Sequence, residues 1–139
     1  MIDTDKAVWL QGRAAWTFAT LYNTVARQPE WLAASKQCLD FIRAHCRGPG
    51  GKLYFTVTRD GRPLRMRRYV YSECFAAIGN AAYSKASGDA RAAEEALQYF
   101  ATYLHHSFTP GVMPAKTDPA TRPMKGVAPH MIAIVTAQE

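Results

Sequence analysis

An arginine flanked by two tryptophans is the clearest group near the start of the chain that could do chemistry. Trp9, Arg13 and Trp16 are spaced so that, on a helix, all three lie on one side. Indole rings can pack on the apolar face of a sugar ring, while a guanidinium donates to sugar oxygens and stabilises an enediolate. The spacing therefore indicates a sugar site, with Arg13 as a catalytic candidate and Trp9 as a substrate-binding one. The alternative is an arginine stacked between tryptophans at an ordinary surface.

A second group of candidates lies near the other end of the chain. His130 falls in the first turn of an expected helix, and imidazole is a side chain well suited to proton transfer. Lys125 and Arg122 come shortly before it and could bind substrate oxygens. We predict a catalytic role for His130 and a substrate-binding role for Lys125. The alternatives are a core histidine bonded to a carbonyl and two solvated loop cations.

Three residues between these groups alternate along the chain. Tyr69, Tyr71 and Glu73 would project into one cavity if they lay on an extended strand, and we predict that all three bind substrate. The alternative is structural, because tyrosine is common in strands and glutamate is favoured in the first turn of a helix.

Two other motifs are not expected to carry chemistry. The glycine-rich segment at residues 48–52 has the wrong spacing for a phosphate-binding loop, and a strand follows it where such a loop requires a helix. The cysteines are odd in number and lie in apolar helical patterns, which favours reduced core thiols, namely Cys38, Cys46 and Cys74. We predict no metal site.

The net charge of +6 on 139 residues raises the question of a polyanionic partner. The basic residues are scattered apart from one cluster at residues 62–68, so a solvated ribbon is favoured over a nucleic-acid surface. The chain has no apolar run of membrane-spanning length, and its first six residues do not resemble a secretory signal. We therefore expect a soluble, cytoplasmic protein forming a single domain over residues 1–139, with no nucleic-acid or membrane partner.

Apolar residues recurring every three or four positions predict about five antiparallel helices. Proline, aspartate and glycine residues mark their starts and ends. The predicted helices are residues 4–27, 29–45, 72–87, 90–106 and a last one from about residue 128. Helix pairs of this kind are found in α/α toroids, solenoids and bundles.

A β-hairpin is predicted between the second and third helices. Residues 53–58 are rich in aromatic and β-branched side chains, an Asp60-Gly61 turn follows, and a basic segment at residues 63–66 completes it. Because the second strand begins with Pro63, we expect an edge ribbon lying over other structure. The fold class is therefore all-α with one inserted hairpin.

Four segments together resemble the N-acylglucosamine 2-epimerase family in order and approximate spacing. They are Trp9-Leu10-Gln11-Gly12-Arg13, the hairpin turn Thr58-Arg59-Asp60-Gly61, Ser72-Glu73-Cys74-Phe75 and Arg122-Pro123-Met124-Lys125. The resemblance extends from Asp5 to the end of the chain and implies the N-terminal part of an (α/α)6 toroid. It also implies that Arg13 contacts the substrate and that Trp9 lies close to the site.

The chemistry implied by this resemblance is removal of the C2 proton of an open-chain sugar and its return from the other face. In an aldose–ketose isomerase of the same superfamily, the proton returns to the neighbouring carbon. The family's acid–base histidines lie on helices outside these 139 residues, so the resemblance implies a truncated binding half that includes Arg13, Tyr69 and His130. No cofactor is expected to be required, although ATP is a candidate effector. A homo-oligomer or a missing C-terminal segment would cover the exposed inner helices. The alternative is a non-catalytic helical module that binds carbohydrate or protein.

Overall fold

The computed structural model describes residues 4–139, which contain five α-helices, three short β-strands and a single 3-10 turn at Pro49–Gly51. In chain order the elements are β1 (Lys6–Ala7), α1 (Val8–Thr24), α2 (Pro29–His45), β2 (Thr56–Val57), β3 (Pro63–Arg65), α3 (Tyr71–Ser87), α4 (Ala90–Phe108) and α5 (Ala128–Ala137). The predicted all-α class with an inserted hairpin is confirmed. Residues 1–3, which form half of the segment used to exclude a secretory signal, lie outside the described residues.

The ribbon differs from the predicted hairpin because it has a third strand. The prediction of helix at residues 4–7 is wrong. Lys6–Ala7 forms a strand that pairs antiparallel with β2, which gives the strand order β1-β2-β3. Helix α1 has no side-chain cap, and the Val8 amide donates to the Phe55 carbonyl at 3.0 Å. The sheet thus satisfies an amide that the first turn of α1 cannot pair internally. The prediction that the basic strand forms the edge is confirmed, since β3 lies at one side of the sheet and is exposed.

The predicted helix boundaries hold closely for the other helices. Pro29 occupies the first turn of α2, and the Asp89 side chain caps α4 by accepting from the amides of Arg91 and Ala92. Gly88 ends α3 with a left-handed backbone at φ 76°, which glycine adopts without a steric penalty.

Helices α1 and α3 approach so closely that their backbones touch. A Cβ atom added to Gly12 would lie 2.5 Å from the carbonyl carbon of Phe75, and one added to Gly79 would lie 2.8 Å from the Gly12 oxygen. Alanines at Ala15 and Ala76 are fully buried beside this crossing. Small residues on both helices therefore set the distance between α1 and α3.

A buried ionic network joins the helices that flank this pair. The Arg43 side chain on α2 donates from Nε to Glu95 of α4 at 2.6 Å and from Nη2 to Asn80 of α3 at 3.1 Å. Glu95 is only 5% exposed, so its charge needs these partners. Helix α5 packs against α3 through Ile132 and Ala133.

No helix within residues 4–139 has the length and apolar character needed to cross a membrane.

The contact between α1 and α3 predicts that Gly12→Ala lowers the free energy of unfolding by about 2 kcal/mol or more. The gain of about 1 kcal/mol in helix propensity is outweighed by overpacking against backbone atoms, which cannot move aside as a side chain can. Urea denaturation followed by circular dichroism measures the change. Gly126→Ala is the matched control because its added Cβ would meet only Pro129 Cδ at 3.9 Å. Equal unfolding midpoints for the two variants would show that the helices can separate at little cost.

Candidate functional site

The Arg13 guanidinium lies over two adjacent aromatic rings that come from different helices. Its central carbon is 4.5 Å from the centre of the Trp9 ring and 4.8 Å from that of Phe75, and the two rings are 5.7 Å apart. The predicted pairing of Arg13 with Trp9 is confirmed. Trp16 is not the second partner, because it packs instead against the buried cluster around Ala15 and Ala19. Phe75 of α3 takes the place predicted for Trp16.

An aromatic cleft of about 240 Å³ opens beside this stack, under the ribbon. Two cations stand at it: Arg13 contacts two of its rings, and Arg67 lies 3.6 Å from the centre of the Phe55 ring. The lining residues come from α1, the ribbon, α3 and α5, namely Trp9, Phe55, Arg67, Tyr71, Phe75 and Ile132. Apolar ring faces beside fixed guanidinium donors suit a ligand with one apolar face and several oxygens.

A second cleft, of about 440 Å³, shares Tyr71 with the first. The rings of Tyr69 and Tyr71 stack at 5.2 Å, nearly parallel. Arg68 donates to the Tyr69 hydroxyl and to the Pro114 carbonyl. These bonds attach the loop after α4 to the side of the cleft formed by the two tyrosines. Burial is the main cause that raises the pKa of the Tyr71 phenol above its usual value, with a further contribution from Tyr69.

Glu73 does not face these clefts with the tyrosines, contrary to the alternation predicted from the sequence. Helix α3 begins at Tyr71. Side chains two positions apart on a helix, such as those of Tyr71 and Glu73, point about 200° apart and do not share a face. Glu73 is fully buried, where its Oε1 accepts from the Leu53 amide at 2.7 Å and its Oε2 has no hydrogen-bond partner. Burial raises the pKa of the Glu73 carboxyl from 4.5 to about 7.

The remaining predicted residues lie apart from Arg13. The His130 ring is exposed and packs edge-on against Phe108 of α4 at 5.0 Å, and it is not among the residues that line the two clefts. Lys125 is exposed and lines a separate shallow cleft with Lys116 and Pro123. The structure thus brings Trp9, Arg13, Tyr69 and Tyr71 to one wall and leaves Glu73, Lys125 and His130 outside it.

Comparison with known proteins shows the family of this chain. The sequence model of the family described as N-acylglucosamine 2-epimerase (GlcNAc 2-epimerase) matches residues 1–137. The chain belongs to the N-acylglucosamine 2-epimerase family.

Named relatives match between 69% and 75% of the chain. The N-acylglucosamine 2-epimerase of Homo sapiens is 36% identical over 107 residues, which is 74% of this chain and 25% of that protein. The enzyme of Bos taurus is 38% identical over 100 residues, or 69% of this chain and 24% of the relative. Cellobiose 2-epimerase of Bacteroides fragilis is 27% identical over 104 residues, or 75% of this chain and 26% of the relative. The chain therefore spans about a quarter of the length of these proteins.

Solved structures support the fold in the same way. A sugar epimerase from a ruminal bacterium superposes with a TM-score of 0.65 at 29% identity, covering 71% of this chain and 25% of that one. Cellobiose 2-epimerase from Spirochaeta thermophila gives a TM-score of 0.64 at 28% identity, covering 73% of this chain and 25% of its own. These structures are (α/α)6 toroids, which confirms the predicted partial toroid.

Three residues at the aromatic cleft were not predicted as site residues. Phe75 falls in the apolar pattern of a helix and in the Ser72-Glu73-Cys74-Phe75 segment of the family resemblance, Phe55 falls in a predicted strand, and Arg67 falls in the basic cluster at residues 62–68. The sequence carries no local signal that joins them, because they meet through contacts between α1, α3 and the ribbon. An excess of aromatic and arginine residues in the ribbon was the available hint.

The burial of Glu73 predicts a pH-dependent loss of stability. The folded-state pKa of Glu73 is about 7, against 4.5 when exposed, so folding takes up a proton between these pH values. The free-energy cost of burying the ionised carboxylate is therefore absent below about pH 4.5, and it is fully present above about pH 7. At about 1.4 kcal/mol for each pKa unit, Glu73→Gln should gain roughly 2–3 kcal/mol over wild type between pH 5 and pH 8.

Urea denaturation of both proteins at several pH values measures this difference, and contributions from other titrating groups cancel. Glu94→Gln, at an exposed position of α4, is the control and should keep a profile parallel to wild type. A Glu73→Gln profile parallel to wild type would contradict the prediction.

Proposed function

We propose that this chain forms the sugar-binding wall of a 2-epimerase that interconverts N-acetylglucosamine and N-acetylmannosamine. The observation that supports this most directly is the Arg13 guanidinium in contact with the rings of both Trp9 and Phe75 at the edge of an aromatic cleft. The named activities of the relatives, N-acylglucosamine 2-epimerase and cellobiose 2-epimerase, point to the same chemistry at C2.

Each part of the wall has a role in this chemistry. The faces of Trp9 and Tyr71 pack on the C–H face of a hexose, which excludes water from one side of the reacting carbon. Removal of the C2 proton places negative charge on the carbonyl oxygen. The Arg13 guanidinium remains protonated and can donate two hydrogen bonds to that oxygen, so it stabilises the enediolate.

Arg13 cannot itself remove a proton, because guanidinium does not deprotonate in proteins. A base and an acid on opposite faces of C2 are still required. His130 is the candidate within this chain. To act there it would have to leave its contact with Phe108.

A non-catalytic carbohydrate-binding module is the second candidate. The position of His130 against Phe108, outside the two clefts, favours it. Such a module needs only the aromatic and arginine side chains of the wall. An aldose–ketose isomerase would use the same wall, with the proton returning to the neighbouring carbon.

We further propose that the apolar side of α5 associates with a second copy of this chain or with further toroid helices. Met131, Ile134 and Val135 are each about three-fifths exposed on a single helix, at 61%, 62% and 61%. An apolar surface of this kind favours association.

ATP is a candidate effector, and no cofactor is required. A cytoplasmic location is in keeping with three free cysteines.

The Arg13 wall predicts that N-acetylmannosamine binds to the 139-residue chain and that Arg13→Gln weakens binding by about tenfold or more. The reason is the loss of a charge-assisted hydrogen bond, worth about 1.5–3 kcal/mol. Ligand-observed NMR titration measures the affinity. Arg27→Gln is the matched control, because it removes the same charge from an exposed position just beyond the far end of α1.

The same samples in D2O test catalysis through loss of the C2 proton signal of N-acetylmannosamine and of mannose, with and without ATP. Exchange that is lost in His130→Gln would show that this chain supplies its own base. Binding without exchange would favour the binding module. If neither sugar binds or exchanges, the proposed function is wrong.

A further inference from the structure

The segment at residues 65–68 concentrates positive charge beside the aromatic cleft. Arg65 and Arg67 both lie over the ring of Phe55, with guanidinium carbons 5.8 Å and 3.6 Å from its centre. Arg68 follows directly and lies over Tyr69 at 4.4 Å. The three arginine side chains of this segment are therefore held on aromatic rings, and Arg65 and Arg67 share the ring of Phe55.

Arg65, Arg67 and Arg68 take no part in the ion pairs found among the described residues, whereas Arg62 in the adjacent turn pairs with Asp60 at 2.9 Å. Glu73, which is close to the segment in sequence, is buried, and its carboxyl interacts with the charge of Lys52. Neither cleft has an acidic residue among those that line it.

The segment is also fixed in place. The Lys52 ammonium donates to the backbone carbonyls of Arg67 and Arg68 at 2.8 Å and 3.3 Å, which adds a fourth cation. The Phe55 amide donates to the Arg65 carbonyl at 2.8 Å. The Arg68 guanidinium is held by Tyr69 and Pro114. Like charges held together in this way repel each other, and a bound anion would relieve that repulsion.

We propose that residues 65–68 bind an anionic substituent of the sugar, so that the ligand of this wall is an acidic sugar, such as a phosphate or sulfate ester. Arg67 is the principal contact, because it belongs to the charged segment and also lines the aromatic cleft. Its planar guanidinium can donate two parallel hydrogen bonds to phosphate or sulfate oxygens. This proposal rests on the proposed function, since it assigns the same wall a narrower class of ligand.

The test compares N-acetylglucosamine with its 6-phosphate and 6-sulfate esters, with inorganic phosphate alone and ATP as further ligands. Titration of the 139-residue chain by NMR should show that the esters bind at least tenfold more tightly than the neutral sugar. The advantage should decrease as salt rises, because the arginines are exposed to solvent. Arg67→Gln should weaken binding of the esters by a larger factor than binding of the neutral sugar, so that most of the advantage is lost.

Arg59→Gln is the matched control, since it removes one positive charge from an exposed turn of the same ribbon and should preserve the ester advantage. Circular dichroism confirms that each variant is folded, and Arg65→Gln gives a second variant of the segment. Equal affinities for the neutral sugar and its esters would overturn the anionic proposal and leave the proposed function standing. Inorganic phosphate or ATP binding as tightly as the esters would also overturn it, because recognition would then not involve the sugar. If no sugar binds, both proposals fail.

Discussion

The contact between the backbones of α1 and α3 is the constraint on which the other features of this structure depend. Gly12 and Gly79 allow the two helices to meet without side chains between them. The first consequence is the short distance between α1 and α3. At this separation, Trp9 and Arg13 on α1 reach Phe75 on α3 within one helical turn of the crossing. A larger residue at either glycine would push the two helices apart and separate Trp9 and Arg13 from Phe75. The small residues of the crossing therefore define both the core and the site.

Burial of charge then determines how the surrounding elements are attached. The ribbon is joined to α3 through the Leu53 amide and Glu73, and α2 is joined to α4 through Arg43 and Glu95. The two attachments differ in kind. The carboxylate of Glu95 has arginine partners, whereas Glu73 has a single amide and an unpaired oxygen. Matched charges stabilise the first attachment, whereas the second is weakened as the buried Glu73 carboxyl ionises.

Local signals in the sequence were sufficient for the helices but not for the contacts between them. Pro29, Gly88 and Asp89 act through their own backbone geometry, so the boundaries they mark could be predicted from a few neighbouring residues. Trp9 and Arg13 are one turn apart on the same helix, and their pairing was predictable for the same reason. The third strand and the contribution of Phe75 depend on contacts between segments that are distant in the sequence. Local patterns in a single sequence do not reveal such contacts. Glu73 was misplaced because the alternation of a strand was extended into α3, whereas Glu73 lies in the first turn of that helix, as the structural alternative had it.

The bond from the Val8 amide to the Phe55 carbonyl also affects the order in which this protein can become structured. Helix α1 has no residue of its own to cap its start, so its first turn is completed by a segment distant in the sequence. Closing that long loop carries an entropic cost that is recovered only once the ribbon docks. Trp9 lies in this first turn, so docking of the ribbon and formation of the aromatic wall are coupled.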